Sequence, residues 1–183
     1  MDNRMTPPRF DARSLSAAGL LAAVLLACVS GAQADDSFDR AFFGEVAGKW
    51  SGPGEIIEGK MKGTRFRCDL DGLSLPDGET GFRLEGRCRA GMLSHPVSAV
   101  FIREGGTYRG QFLDGSEGDG LDVTGGSIVD RRAVIELKRD KVTGALVANL
   151  LDAENFNITL LIKGGTRFVP VIGLSLTRET DAL

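Results

Sequence analysis

The chain has 183 residues, a formal net charge of -3 at pH 7 and 42% hydrophobic residues. This length is enough for one hydrophobic core, which favours a single domain. The charge is modest and of mixed sign, so nucleic acid is not expected as a partner.

Residues 1–34 have the pattern of an export signal peptide. Scattered arginines precede the apolar run LSAAGLLAAVLLACVSGA, and Ala32 and Ala34 supply the small residues of a cleavage site. Cleavage after Ala34 leaves one domain, residues 35–183, in the periplasm or outside the cell. The apolar run is short for a bilayer span of about 20 residues, so a retained transmembrane anchor is the weaker alternative.

A second processing route is open at Leu25–Cys28. Its sequence, LLAC, resembles a bacterial lipobox, in which the cysteine becomes the lipid-modified first residue. Cys28 would then carry a lipid anchor, although soluble export is our preferred interpretation. No later segment is apolar and long enough to span a membrane, so no transmembrane span is expected after processing.

The other two cysteines, Cys68 and Cys88, form an even pair in an exported chain. Export leads to an oxidising compartment, where such a pair usually forms a disulfide. A metal site is the alternative, but two thiols and the lone His95 fall short of the usual four ligands. We therefore predict a Cys68–Cys88 disulfide and no metal.

The first element of the mature chain is a short helix. Asp36 or Ser37 could cap it, and its apolar residues then recur at helical spacing. The helix is expected to end near Gly48. From Trp50 onward the period of the apolar residues changes from helical to two, which is typical of strands.

The second and third strands are the clearest. In GTRFRCDLDG and GFRLEGRCRAG, apolar residues alternate with charged ones, and Asp77-Gly78 between them is a turn signal. A hairpin symmetric about Gly78 places Cys68 opposite Cys88, where Cα atoms are about 4.5–5.5 Å apart and a disulfide can form. The same register pairs Asp69 with Arg87 favourably, and Arg67 with Arg89 unfavourably.

Further strands follow at short intervals, separated by turn-like sequences. They are predicted near residues 96–104, 106–114, 119–125, 127–138, 143–151, 155–163 and 166–178. The fold class is therefore all-β, an antiparallel up-and-down meander of about eight to ten strands closed as a barrel, with a short helix before it. A β-sandwich, in which Trp50 is an ordinary core residue, is the alternative.

A family resemblance rests on GKW, residues 48–50, which opens the first strand after a short helix. It resembles the G-x-W signature of lipocalins and the wider calycin group. The chain lacks a T-D-Y triplet, so it looks like a divergent bacterial relative. In that group the tryptophan closes the narrow end of the barrel under a basic residue of the last strand. The resemblance assigns these roles to Trp50 and Arg178, and Arg178 is in phase with the apolar face of its strand.

The resemblance also implies a function, the binding of a small apolar or amphipathic ligand inside the barrel. An eight-stranded barrel can hold one such ligand or be filled by its own side chains. The alternative is an envelope protein-interaction module, such as a protease inhibitor or assembly factor, with a packed core. The predicted lining residues have inward phase: Phe66, Phe82, Leu84, Tyr108, Phe112, Ile158 and Leu160.

Residues suited to catalysis are sparse. His95 is the only histidine, and neither a nucleotide-binding motif nor a zinc-protease motif is present. We therefore expect neither an enzyme nor a cofactor, and a hydrolase is the third choice. The acidic loop DGSEGDGLD does not match a calcium motif, and a solvated hairpin loop is the preferred interpretation. One anion-binding patch is predicted on the outer face of the second and third strands: Arg65, Arg67, Arg87 and Arg89.

Overall fold

The structure is a computed structural model that describes residues 31–76, 78–113 and 120–180. Cys28 and most of the predicted leader lie outside these residues, as do positions 114–119 of the acidic loop. The described chain forms one helix and ten strands. They are α1 (Gly31–Val46), β1 (Gly48–Ile56), β2 (Arg65–Ser74), β3 (Gly81–Ala90), β4 (Leu93–Glu104), β5 (Thr107–Leu113), β6 (Leu121–Val129), β7 (Arg132–Arg139), β8 (Val142–Leu150), β9 (Asn155–Gly164) and β10 (Arg167–Arg178).

The ten strands form a closed antiparallel barrel in which each strand pairs with its neighbours in sequence. The barrel closes where β1 pairs with β10, and Trp50 lies opposite Arg178 in that register. Closure confirms the predicted fold class and excludes the sandwich. Within the described ranges, no helix combines the length and apolarity needed to cross a bilayer.

The β2–β3 hairpin has the predicted register, with Cys68 opposite Cys88. The two cysteines form a disulfide, with Cα atoms 4.0 Å apart. The opposed arginines, Arg67 and Arg89, turn to different partners. Arg89 donates to Asp69 across the hairpin at 2.9 Å, whereas Arg67 donates to a serine of β1, so the unfavourable pairing is relieved.

Two predicted strand boundaries, those of 119–125 and 127–138, are wrong. In the structure β6 continues through Gly125–Gly126, and its register against β7 shifts just before them, between Val123 and Gly125, as in a β-bulge. The chain reverses later, at Asp130 and Arg131, whose φ angles of 47° and 57° are those of a two-residue hairpin turn. The break predicted at residue 126 is therefore absent, and the reversal lies inside the segment predicted as one strand at 127–138.

Helix α1 covers one end of the barrel, which we call the closed end. Its buried residues, Asp39, Phe42, Phe43 and Val46, recur at helical spacing and face inward. The Phe43 ring stacks on Phe82 of β3, with ring centroids 5.6 Å apart. The helix begins earlier than predicted, because the alanine-containing segment before Asp36 favours helix.

The opposite end, which we call the open end, carries the connections β1–β2, β3–β4, β5–β6, β7–β8 and β9–β10. This assignment follows from strand direction, since β1 leaves the closed end and successive strands alternate. The two ends therefore differ in what closes them. Among the described residues, a helix packs over one end, and hairpin connections surround the other.

Candidate functional site

Trp50 and Arg178 meet at the closed end, where β1 and β10 close the barrel. The Arg178 guanidinium lies 4.2 Å from the centroid of the Trp50 ring. Trp50 is 1% exposed, and its indole Nε1 donates to the Val46 carbonyl at 2.9 Å. Arg178 donates to the carbonyls of Glu45 and Ala47, at 2.5 and 2.7 Å. The two side chains thus satisfy carbonyls that the end of α1 leaves without helical partners.

Glycines next to Trp50 make this approach possible. Gly48 has a φ of +125°, and a Cβ placed there would lie 2.6 Å from an Arg178 guanidinium nitrogen. A Cβ at Gly52 would collide with the carbonyl oxygen of Ser175 on β10. Both strands can approach closely only because these positions lack side chains. Trp50 therefore belongs to a packed closure and faces no open cavity.

A buried carboxylate, Asp39, ties α1 to the barrel. It is 2% exposed and accepts hydrogen bonds from Arg103 of β4 and from the Tyr108 hydroxyl of β5. Arg103 Nε also lies 2.7 Å from an Asp36 carboxylate oxygen. Burial, followed by the hydrogen bond to Asp39 and its charge, raises the pKa of Tyr108 far above its ordinary value. Tyr108, which we predicted to line a ligand cavity, donates a hydrogen bond to Asp39 in this polar contact beneath the helix.

The middle of the barrel is filled by its own side chains. A cavity of about 30 Å³ remains between α1 and the strands, and three of the predicted lining residues, Phe82, Leu84 and Ile158, contribute to its wall. A single water occupies about 30 Å³ of liquid, and the lining here is apolar. This inner cavity is too small for an organic ligand.

A larger cavity, about 580 Å³, opens at the other end of the barrel. We call it the mouth. Phe112 and Leu160, both predicted lining residues, contribute to its wall. Its other apolar residues come from the ends of β1, β6, β8, β9 and β10: Ile56, Leu121, Val142, Ile162, Val171 and Ile172. Its charged residues come from two hairpin connections and the end of β7: Glu58, Arg139, Asp140 and Lys141.

The remaining predicted residues lie outside both cavities. Phe66 is half-buried and packs against the core from β2. Arg65, Arg67, Arg87 and Arg89 are all exposed on the β2–β3 surface. Arg89 pairs with Asp69, which also lies 4.0 Å from Arg67, so the predicted patch is partly neutralised. The patch remains a prediction.

The other polar residues that were considered as catalytic or metal sites do not lie together among the described residues. His95 is exposed on β4, opposite Cys88. In the described part of the chain, no group of histidine, cysteine and acidic side chains is arranged to hold a metal ion. Asp114, Glu117 and Asp119 lie outside the described residues, and Asp122 is exposed on β6.

The polar contact under α1 and the charged rim of the mouth were not predicted from the sequence. The sequence does contain one indication of the polar contact under α1. Arg103 shares its parity with buried Ala99 and Phe101 on β4, and Asp39 lies on the buried stripe of α1. A charge in phase with the core on two elements indicates a buried ion pair. The rim had no such signal, because Arg139 and Lys141 look like ordinary turn residues.

The chain matches no family model and no curated protein sequence. Among solved structures, it is similar to an S-type phycobiliprotein lyase, CpeS, from Guillardia theta. The TM-score is 0.52 at 13% identity, and the match covers 81% of this chain and 98% of the lyase. It is also similar to Rv2717c from M. tuberculosis, with a TM-score of 0.52, 12% identity and coverage of 78% and 98%. Identities this low establish a shared fold and no shared function.

The comparison overturns our expectation that the chain is not an enzyme. That expectation rested on the scarcity of histidines and free nucleophiles. A protein of the same fold is named as a lyase, so the scarcity of such residues does not exclude catalysis in a barrel of this kind.

Proposed function

We propose that the protein binds one small amphipathic molecule in the mouth of its barrel. The observation that carries this proposal is the size and composition of the mouth. Its volume of about 580 Å³ lies within the range of natural ligand pockets, which is about 300–1,000 Å³. The inner cavity is about 30 Å³, so a ligand would lie near the open end and not deep in the barrel.

The lining indicates the chemistry of the ligand. Aliphatic side chains and Phe112 form the wall, so they favour an apolar ring or chain. Arg139 and Lys141 lie at the rim, where they can attract an anionic group of the ligand. Two acidic residues, Glu58 and Asp140, share the rim. Glu58 forms an ion pair with Lys62 at 3.0 Å, which reduces its influence. An apolar body with an acidic group fits this arrangement best.

Probe titrations test the proposal. Cis-parinaric acid is an anionic amphipathic probe, and Nile red is a neutral one of similar apolarity. We expect both to bind and to gain fluorescence. Val171→Trp places an indole in the mouth and should weaken both probes at least about tenfold. Val129→Trp, at an exposed closed-end position, is the matched control and should bind as the parent does.

Charge variants then test the role of the rim. Arg139→Gln with Lys141→Gln should weaken parinaric acid by roughly tenfold while leaving Nile red unchanged. Arg132→Gln, an exposed change at the closed end, is the control. Failure of both probes to bind the parent protein, or equal loss in Val129→Trp, would rule out a ligand site in the mouth.

Export and family membership belong to the same proposal. We infer that residues 1–34 are removed as an export signal, leaving residues 35–183 as a single domain of a divergent, bacterial lipocalin-like family. The Cys68–Cys88 disulfide supports an oxidising compartment. Intact-mass measurement of the exported protein tests this, since cleavage after Ala34, lipidation of Cys28 and retention of the leader give three different masses.

A further inference from the structure

Exposed apolar side chains stand on the hairpins of the open end. Met61 in the β1–β2 connection is 57% exposed, and Met92 and Leu93 at the β3–β4 connection are 103% and 63% exposed. Val142 after the β7–β8 turn and Phe168 after the β9–β10 turn are also exposed. None of them is needed to line the core. Exposed apolar side chains that are concentrated at one end of a protein are typical of an interaction surface.

The same hairpins are basic. In the barrel order, the connections β3–β4, β1–β2, β9–β10 and β7–β8 are adjacent, and we call them the basic arc. Its acidic residues are Glu55 at the end of β1, Glu58 and Asp140. Glu58 is paired with Lys62, and Arg89 of the arc is paired with Asp69. Its basic residues stand beside the exposed apolar ones: Lys60, Lys62, Arg89, Lys141, Lys163 and Arg167.

The closed end provides the contrast. Val129 and Leu151 are exposed there to a similar extent, 61% and 60%. Asp130 follows Val129 and Asp152 follows Leu151, and the nearby Arg131 is ion-paired with Glu45. Exposed apolar side chains therefore occur at both ends of the barrel. Cations at the closed end are interspersed with acidic side chains, whereas cations outnumber acidic side chains in the basic arc.

From this combination we infer that the basic arc docks on the surface of an anionic lipid bilayer. Cationic side chains near such a surface are attracted to acidic headgroups, and the apolar tips enter the boundary between headgroups and acyl chains. A protein partner would need a shape that fits hairpins spread around a ring, whereas a bilayer surface accepts tips that project separately. Docking goes beyond the proposed function, since the residues that test it, in the β1–β2, β3–β4 and β9–β10 hairpins, are not among those that line the mouth. Lys141 and Val142 belong to both surfaces.

Vesicle co-sedimentation tests docking. The protein is exported from the full-length gene with Cys28→Ser, and intact mass is used to select the product that lacks residues 1–34, so that neither a lipid nor the apolar leader attaches it to membranes. We expect sedimentation with vesicles of phosphatidylcholine and phosphatidylglycerol, weak sedimentation with phosphatidylcholine alone, and release by high salt. Equal sedimentation with both vesicle types, or with neither, overturns the proposal. So does capture of an envelope protein by a chain that binds no vesicle.

Paired variants test which end of the barrel contacts the bilayer. Met92→Ser with Leu93→Ser should weaken partitioning into anionic vesicles at least about tenfold, and Lys60→Gln with Arg167→Gln should do the same. The matched controls at the closed end are Val129→Ser with Leu151→Ser, and Lys49→Gln with Arg132→Gln. Controls that lose binding as much as the test variants contradict docking through the basic arc.

A tryptophan reporter provides a second test of docking, which holds even if one of the serine or glutamine variants folds poorly. Met92→Trp adds an indole at a fully exposed turn, and its emission should shift to the blue on anionic vesicles. Leu151→Trp should show no shift. A shift in Leu151→Trp alone places the bilayer at the wrong end and overturns the proposal. Loss of probe binding in the mouth together with retained vesicle binding would refute the proposed function and leave docking intact.

Discussion

The Arg178 guanidinium covers the Trp50 ring at 4.2 Å, and both side chains donate to carbonyls at the end of α1. Arg178 Nε also donates to the Ala153 carbonyl, in the β8–β9 connection, at 2.7 Å. One side chain thus joins the helix, the first strand and a distant connection. A positive charge is also favourable at the carbonyl end of a helix, because the helix dipole is negative there. This contact holds the closed end together.

Arg178→Gln should lower the free energy of unfolding by about 2–4 kcal/mol, because it removes the stacked cation and several charged hydrogen bonds. Chemical denaturation followed by Trp50 fluorescence measures the change. Arg132→Gln, at an exposed position, should change stability by less than about 0.5 kcal/mol. A small effect of Arg178→Gln would show that the helix end does not depend on this contact.

Gly48→Ala and Gly44→Ala should change the free energy of unfolding in opposite directions. At Gly48 the φ of +125° and the Arg178 guanidinium leave no room for a methyl group, so we expect a loss of about 2 kcal/mol or more. Gly44 lies within α1 with nothing within 4 Å of the new Cβ. Alanine there should stabilise the protein by about 0.5–1 kcal/mol. Thermal unfolding compares the two variants, and equal changes would contradict the packing at the closed end.

Tyr108 should resist ionisation until the protein unfolds. Burial and the Asp39 carboxylate raise its pKa in the folded state, so the stability that its neutral form contributes is fully present below the ordinary tyrosine pKa, about 10, and is lost as pH rises above that value. It is the only tyrosine in the chain, so tyrosinate absorbance reports it alone. We expect the absorbance to rise together with unfolding. Tyr108→Phe should reduce the alkaline decline in stability, and tyrosinate in the folded protein would refute the prediction.

The disulfide should contribute about 3 kcal/mol, since it closes a loop with a sequence separation of 20 residues. Cys68→Ala with Cys88→Ala should lower the denaturation midpoint by a corresponding amount. Reductant should destabilise the parent protein and leave the double variant unchanged. Reductant sensitivity in the double variant would assign the effect to another cause.

Much of the fold could be predicted because apolar and polar residues alternate along the strands, and this alternation shows which face of each strand is buried. The phases of Phe66, Cys68 and Leu70 were enough to orient β2, and the turn at Gly78 set the register that pairs the cysteines. The bulge in β6, between Val123 and Gly125, could not be predicted, since only the register of the partner strand shows which residue is left unpaired. Tyr108 was misplaced for a similar reason. Inward phase does not say whether a residue lies under the helix or at the mouth.

The sequence by itself determined the alternation of each strand, the pairing of the cysteines and the in-phase arginine of the last strand. Those properties depend on chain neighbours and on a period of two, so a linear pattern contains them. Only the tertiary structure decided that the inner barrel is filled, that the cavity lies at the mouth, and that Arg139 and Lys141 stand beside it. It also gathered separate hairpins into one basic arc. Volume and surface charge depend on residues that are distant in sequence, and closure of the barrel is what brings them together.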